Sequence, residues 1–308
     1  MLRYVTKRIL LIIPTLILVI LMVFLILNIT PGNPAQIILG QHASAEAIEA
    51  LNRQLGMDKP VMERFVNYLW DMGHLDFGTS YRTGAPVFED ILQKFPVTLK
   101  LAIYSIALST IVGIPLGIIS AVKEYSVLDY TLTFTSLILA SMPSFFLALV
   151  LILFFSLLLG ILPSTGSSTP AHYVLPVVTL MLPTAAYFAR FTRTSMLETM
   201  REDYIRTAKA IGASPRHIIL KHALKPSLLP IVTILGMYFA GLLGGALITE
   251  VVFGLPGIGD LILTAVKTKD APMIQAATIF LAVLYKLIML FVDVIQAAID
   301  PRLNSQFK

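Results

Sequence analysis

The sequence predicts an all-α polytopic membrane protein with six transmembrane helices and a small helical insertion after the first. Three observations predict it. Of 308 residues, 56% are hydrophobic and the mean hydropathy is +0.82, an apolar surplus that a water-facing surface would expose as aggregating patches. Between Asp129 and Arg190 the chain runs sixty residues without a charged side chain, too long for one span and enough for two. Windows of about 20 apolar residues then place six spans near 9–29, 101–122, 131–159, 174–196, 227–249 and 273–298.

The first span follows Arg3, Lys7 and Arg8, so a signal peptide is the competing reading. The apolar run exceeds the roughly 7 to 15 residues of a signal core and no small-x-small cleavage site follows, which favours an uncleaved helix at 1–29. The third span carries Pro143 in ASMPSFF and is expected to kink, tilt or begin as an interfacial segment.

Sorting charge over alternate loops gives the orientation. The N-terminal side, with residues 123–130, residues 190–225 and the C-terminal IDPRLNSQFK, holds 14 Lys/Arg against six acids. Residues 30–96, 160–173 and 250–272 hold seven Lys/Arg against 11 acids. Both ends are therefore expected in the cytoplasm, with 30–96 as an extracytoplasmic segment, 97–300 as a five-helix core and 301–308 as a cytoplasmic tail. Within 30–96, Ser44 is placed to cap one helix that ends before Gly56, and Pro60 suits the first position of another. Leu51, Leu55, Phe65, Leu69 and Trp70 are expected either to make a small core of that pair or to pack on the membrane helices.

The cytoplasmic loop 197–226 concentrates charge in a chain that is only 13% charged: residues 201–226 hold six Lys/Arg, two acids and two of five His. Its punctuation predicts a helix ending at Gly212, a tight turn, and a short helix begun by Ser214 and Pro215 and ended by Pro226. Glu202 and Asp203 are spaced to pair with Arg206, while Tyr204, Ile205, Ala208 and Ile211 share one face. A topology signal, a DNA-binding helix-turn-helix and a docking element for a cytoplasmic protein are the three readings. Two flanking spans and the stop at Pro226 leave little reach into a DNA groove, which excludes nucleic acid as a partner; composition leaves the other two open.

Much chemistry is missing. There is no GxxxxGK[ST] to cradle ATP phosphates, no HExxH, no GxSxG, no cysteine and no cluster of His. No catalytic set and no metal site is expected. Within the spans, Lys286 and Asp293 lie on one face about 10 Å apart along the helix axis. So few ionisable groups favour a conduit powered from outside itself over a proton-driven secondary transporter.

The motifs then resemble one family, the permease subunits of ATP-binding-cassette importers for dipeptides, oligopeptides and nickel, in the N-terminal-type member of the pair. DYIRTAKAIGAS followed by LKHALKPSLLPIVT is similar to the family's cytoplasmic motif; Arg206, Thr207 and Ala208 occupy its Glu-Ala-Ala places and Gly212 its glycine. TPGNPA, LGMDKP, LDFGTSYRTGAPV, FPVTLKLA, EVVFGLPGIGDL and IDPRL follow the family order over the whole length.

The resemblance implies a type I importer permease fold and a subunit that is not an enzyme. It implies a lipid-embedded half of a pathway, with a second homologous permease, two cytoplasmic ATP-binding subunits that carry the ATP and Mg, and an extracytoplasmic substrate-binding protein. This chain would bind no cofactor. Coupling to the ATPase would rest on Asp203, Tyr204, Arg206, Thr207, Ala208 and Lys209, on the turn Gly212 and Ala213, and on Ser214, Pro215, Arg216 and Lys221 of the following helix. EVVFGLPGIG is too rich in Gly and Pro for a regular helix and is expected as a loop, either lining the pathway mouth or as a plain surface turn. There Glu250, Phe253, Pro256, Gly257, Gly259 and Asp260, with Lys286 in the last span, would meet cargo or the binding protein. Gly113 and Gly117 in the second span, and Gly236, Gly241, Gly244 and Gly245 in the fifth, would allow close helix approach within the chain or to the partner permease. Peptides are the expected cargo, with nickel or a metal chelate as the alternative.

Overall fold

A computed structural model describes residues 2–30, 32–40 and 42–299, so the tail 301–308 and most of the IDPRL motif lie outside the described residues. The elements are helical apart from one isolated antiparallel bridge, Thr79 to Pro86. In chain order they are α1 (Leu2–Ile29), α2 (Pro34–Leu39), α3 (Ala45–Gln54), α4 (Val61–Gly73), α5 (Val87–Val122), α6 (Val127–Ser141), α7 (Ser144–Leu151), α8 (Ala171–Met200), α9 (Asp203–Ala210), α10 (Pro215–His217), α11 (Leu224–Gly245), α12 (Leu247–Phe253), α13 (Ile258–Thr268) and α14 (Ala271–Ile299). π-helical stretches extend α7 through Ile152–Leu158 and join α10 to α11 through Ile218–Ala223.

Five helical runs are each long and apolar enough to cross a bilayer: Arg8–Ile29, Val87–Val122, Ala171–Met200, Pro215–Gly244 and Ala271–Ala298. The expected third span is broken. α6 and the run from Ser144 to Leu158 meet at a bend of 102°, where Pro143 holds Met142 in extended backbone (φ −75°, ψ 127°) and has no N–H to continue a helix. Among the described residues, counting that pair as one span gives six, and counting the second broken apolar pair, α12 with α13, gives seven, so the predicted six lies within the range of five to seven. The stretch expected as a loop at 250–259 is thus helical except for the break at 254–257.

The chain divides into two compact units. One gathers Leu99–Leu255 and the part of α14 from Leu287; the other gathers Lys7–Thr98 and Pro256–Lys286. In the first, α8 packs against α6, α7, α11 and α12, and two glycines of α5 let that helix come close to it as well. A Cβ added at Gly113 would stand 2.6 Å from the Ala185 carbonyl oxygen, and one at Gly117 2.5 Å from that of Ala189, so these glycines set the helix spacing. Gly236 is in the same position against Val292 of α14, whereas Gly241 and Gly244 face no atom within 4 Å.

In the second unit, Val87, Ile91, Ile258, Ala265, Met273, Ala276 and Ala277 form one buried cluster. Asp270 ties this unit together: Ser80 Oγ donates to its carboxylate at 2.5 Å and Tyr81 N at 3.1 Å, which pins the SYRTG turn beside the start of α14. The 30–96 helices form where capping predicts: Asn33 accepts from Ala35 N and Gln36 N ahead of α2, and Ser44 accepts from Ala47 N ahead of α3. Pro60 stands one place earlier than expected, as the N-cap residue of α4. Phe65 is buried against Ile20, Phe24 and Ile279, and Leu69 packs beside it. Trp70, expected in that contact, is 70% exposed, because α4 turns Phe65 and Leu69 inward and its other face outward.

Candidate functional site

The end of α8 is Met200, and the chain breaks at Arg201 and Glu202 before α9. The helix expected to run unbroken to Gly212 is therefore two. Glu202 is the N-cap residue of α9, outside the regular turns, and among the described residues only Asp203 pairs with Arg206, at 3.5 Å with both side chains exposed. Such a pair contributes roughly 0 to 1 kcal/mol. The buried face is also narrower than expected. Ile205 and Ala208 are buried, while Tyr204 is half-exposed and Ile211 is 80% exposed at the tip of the turn.

The turn itself is as predicted. Gly212 has φ +84°, its N–H donates to Lys209 O, and Ala213 N donates to Ala208 O at 3.1 Å. That left-handed conformation favours glycine. Ser214 then accepts from His217 N at 3.4 Å, and Pro215 occupies the first turn of α10.

Pro226 does not end the following helix. The helical run continues from Pro215 to Gly244, so the loop feeds directly into a span. Pro226 deprives His222 O of its ordinary i+4 donor, and two features accommodate this. The turns just before it are π-helical, and Tyr204 Oη reaches His222 O at 3.5 Å. Burial, helped by the Glu202 carboxylate, raises the Tyr204 phenol above its usual range and keeps it a donor.

Ile205, Ala208, Ile218 and Ala223 form one buried cluster with Ala121 of α5 and Met196 of α8, so α9 and the π-helical stretch after α10 are packed on the ends of the helices beside them. Polar contacts reinforce that packing. Ser227 Oγ donates to Ala223 O at 2.8 Å and lies 3.0 Å from Thr199 Oγ1. Arg201 meets Glu124 at 3.2 Å. Asp129, only 2% exposed, receives Arg193 Nε at 2.6 Å and Nη2 at 2.7 Å, Ser120 Oγ at 2.5 Å and Tyr125 N at 3.0 Å. One carboxylate thereby joins α5, α6 and α8. Sequence reasoning missed this hub, although its signal was present: Asp129 is one border of the charge-free run and Arg193 lies just past the other.

What this loop presents outward is a set of exposed bases, Arg206, Lys209, Arg216 and Lys221, around the exposed apolar side chains Ile211 and Leu220. Asp203, Thr207, Ser214 and Pro215 are exposed among them, and Ala213 is half-buried.

The residues expected at a pathway mouth are placed differently. Glu250 and Phe253 lie on α12 and are buried, at 0% and 1% exposure. Phe253 O accepts Gly166 N at 2.9 Å, which fastens the 160–170 stretch to α12. Pro256 is half-buried and Gly257 buried in the break; Gly259 and Asp260 stand in the first turn of α13, where Ile258 N donates to Thr98 Oγ1 at 2.8 Å. Lys286 is half-buried on α14. Glu250 and Phe253 are thus interior to this chain, while Pro256, Asp260 and Lys286 stay partly accessible.

A concave surface lies elsewhere. A cavity of about 600 Å³ is lined by Lys100, Tyr104 and Leu108 of α5, by Ser167, Ser168 and Thr169, and by Tyr173 and Val177 of α8. It combines an apolar wall with one ammonium and a few hydroxyls, a lining suited to a small polar solute with apolar side chains. Lys100 and Tyr104, four apart at the head of a span, and the serine-rich STGSST were its signal in the sequence.

Comparison with known proteins covers nearly the entire chain. Residues 1–102 match the N-terminal part, and residues 113–305 the main part, of the binding-protein-dependent transport system inner membrane component family. The glutathione transport system permease protein GsiC of Escherichia coli K12 is 41% identical over 304 residues, 99% of each chain. The dipeptide transport system permease protein DppB of Alkalihalophilus pseudofirmus is 39% identical, covering 99% of this chain and all of that one. Among solved structures, an inward-facing MetNI methionine ABC transporter chain shares the fold, with a TM-score of 0.60 at 22% identity over 68% of this chain and 96% of its own. With matching family segments at both ends and relatives of about 40% identity along its length, this chain belongs to the binding-protein-dependent transport system inner membrane components, as a multi-pass permease and not an enzyme.

Proposed function

We propose that the chain is one of two permease subunits in an ATP-driven, binding-protein-dependent importer of short peptides. The observation that carries the cargo is the pair of end-to-end relatives named for glutathione and dipeptide transport, which supports peptides over nickel. In this reading a second permease completes the pathway, two cytoplasmic subunits bind ATP and Mg, and an extracytoplasmic binding protein delivers the peptide. Both termini lie in the cytoplasm, as the 14-to-seven division of Lys/Arg favours.

The loop 197–226 is the coupling element. Its exposed bases around Ile211 and Leu220 fit a groove with acidic edges and an apolar floor on an ATPase. Because the helical run from Pro215 to Gly244 is continuous, a displacement of the loop is passed to a span without a flexible joint. Ile205 and Ala208, buried against Ala121 and Met196, carry it to α5 and α8 as well. The cavity at Lys100 and Tyr104 is the cargo-facing surface of this subunit. Gly241 and Gly244, open on one side, offer close approach to the second permease.

The test is uptake by the four-subunit complex in liposomes with its binding protein. ATP-dependent accumulation of a labelled dipeptide or of glutathione is expected. Accumulation of nickel without peptide, or uptake by this chain alone, would overturn the reading.

A further inference from the structure

The segment 30–96 has so far been given only helices and a core, yet the unit it belongs to contains a cavity of about 550 Å³. That size lies within the roughly 300–1,000 Å³ of small-molecule sites. Its lining is unlike that of the cavity at Lys100. Arg64, Asp71 and Asp76 bring charge of both signs to it, and Phe24 and Phe77 supply apolar wall.

Two observations say that these groups are not fully used by the chain itself. First, among the described residues Arg64 has no carboxylate within ion-pair distance, whereas the neighbouring lining cations Arg53 and Lys59 are each paired, to Glu49 at 2.7 Å and Glu63 at 2.9 Å. Burial raises the lining phenol of Tyr81 above its usual range, and Arg64 lies close enough to offset part of that rise. Second, Gln275 Nε2 and Tyr68 Oη, both on cavity-lining residues, are buried without a hydrogen-bond partner, and Gln275 is only 8% exposed. Buried polar groups normally find partners, so two orphans at one cavity point to a ligand. The terminal amide of Gln275 turns easily about its last torsion, and the Tyr68 hydroxyl rotates freely about its C–O bond, so either can be offered to an occupant.

We infer that this cavity binds a small zwitterion carrying a carboxylate, held at that end by Arg64, Gln275 and Tyr68 and at its ammonium end by Asp71 and Asp76. Guanidinium is the natural receptor for a carboxylate because its fork matches both oxygens, and an amide and a phenol add neutral donors. Acids on the same lining suit the opposite end of a molecule the length of a dipeptide. The site is separate from the cargo cavity and stands whether or not peptides are what the importer carries.

The experiment uses the full chain in lipid nanodiscs, with neither ATPase nor binding protein, titrated calorimetrically with L-alanyl-L-alanine. Saturable binding is expected. The dipeptide amide, which lacks the carboxylate, should bind at least tenfold more weakly, and the N-acetyl dipeptide, which lacks the ammonium, should also lose affinity. Arg64→Gln should cost at least tenfold, with partial recovery in Arg64→Lys, and Gln275→Leu a severalfold loss. Thermal unfolding of each variant reports whether it has folded; the ligand series on the unaltered chain needs no variant. Absence of saturable binding, or equal affinity for the acid and the amide, overturns the inference. Liposome uptake reads the importer function and this titration reads the site, so either can fail alone.

Discussion

Arg193 lies side-on across Asp129, with Nε 2.6 Å from one carboxylate oxygen and Nη2 2.7 Å from the other, and the acid is 2% exposed. Ser120 Oγ and Tyr125 N complete the acid's hydrogen bonds, so the pair is satisfied as well as buried. Removing one partner is costly because the other charge stays buried. Arg193→Ala should lose about 3–5 kcal/mol and lower the thermal unfolding midpoint of the detergent-solubilised chain. Arg193→Lys should recover only part, since an ammonium cannot bond both oxygens in a fork. A midpoint unchanged in Arg193→Ala would remove this pair from the architecture.

Glycines that share one sequence rationale should divide sharply when substituted. Gly117→Ala drives a methyl into the Ala189 carbonyl and the Thr192 side chain, and should cost about 1–3 kcal/mol. Gly241→Ala meets nothing within 4 Å and should leave the isolated chain as stable or slightly more so. If Gly241 faces the second permease, the same substitution should weaken assembly of the complex in size-exclusion chromatography. Equal effects of the two variants on the isolated chain would contradict the helix spacing described.

Much of this was legible in the sequence, and the parts that were not share a cause. Hydropathy located the six spans because lipid excludes charge along 20 residues at once, and capping residues located α3, the turn at Gly212 and the start of α10 because each is decided within four residues. Pro226 misled because a proline removes one helical hydrogen bond and crowds the carbonyl four residues earlier, which a helix survives where the local turns adjust. Here the π-helical turns and Tyr204, 18 positions earlier in sequence, supply the accommodation. Glu250 misled for the converse reason. An acid beside a Gly/Pro-rich stretch reads as exposed, yet α12 carries it inside. The Asp129 hub and the two cavities depend on residues tens to hundreds of positions apart, which local spacing does not reveal.

Gly212 tests whether backbone conformation alone fixes the turn. A Cβ there meets no atom within 4 Å, so any penalty comes from φ +84° and not from a clash. Gly212→Val should strain the turn by about 1–2 kcal/mol or more, and Gly212→Asn, which tolerates the left-handed region, should cost much less. In the assembled importer, Gly212→Val should insert normally and lose most peptide-stimulated ATP hydrolysis, with Gly212→Asn retaining most of it. If both variants retain full stimulated hydrolysis and uptake, the turn does not transmit the ATPase cycle.

Ile211 separates a docking surface from a topology signal. It is 80% exposed at the tip of the turn, Leu220 is 52% exposed, and exposed Arg206, Lys209, Arg216 and Lys221 accompany them. A loop that only fixes orientation needs the bases and has no use for the apolar tip, because orientation depends on Lys and Arg counts. A docking surface needs both, with the apolar residue buried in the partner and the bases around it. Ile211→Asp touches no buried contact, so it should change the stability of the isolated chain by no more than about 0.5 kcal/mol and leave cysteine-accessibility topology unchanged. In the complex it should lower ATPase co-purification and peptide uptake at least tenfold. Reversing two bases together, Lys209→Glu with Arg216→Glu, should weaken assembly in a way that rising salt makes less distinct from the unaltered protein, since salt already screens the pairing in the latter. Full co-purification of the ATPase with Ile211→Asp would return the loop to a topology signal.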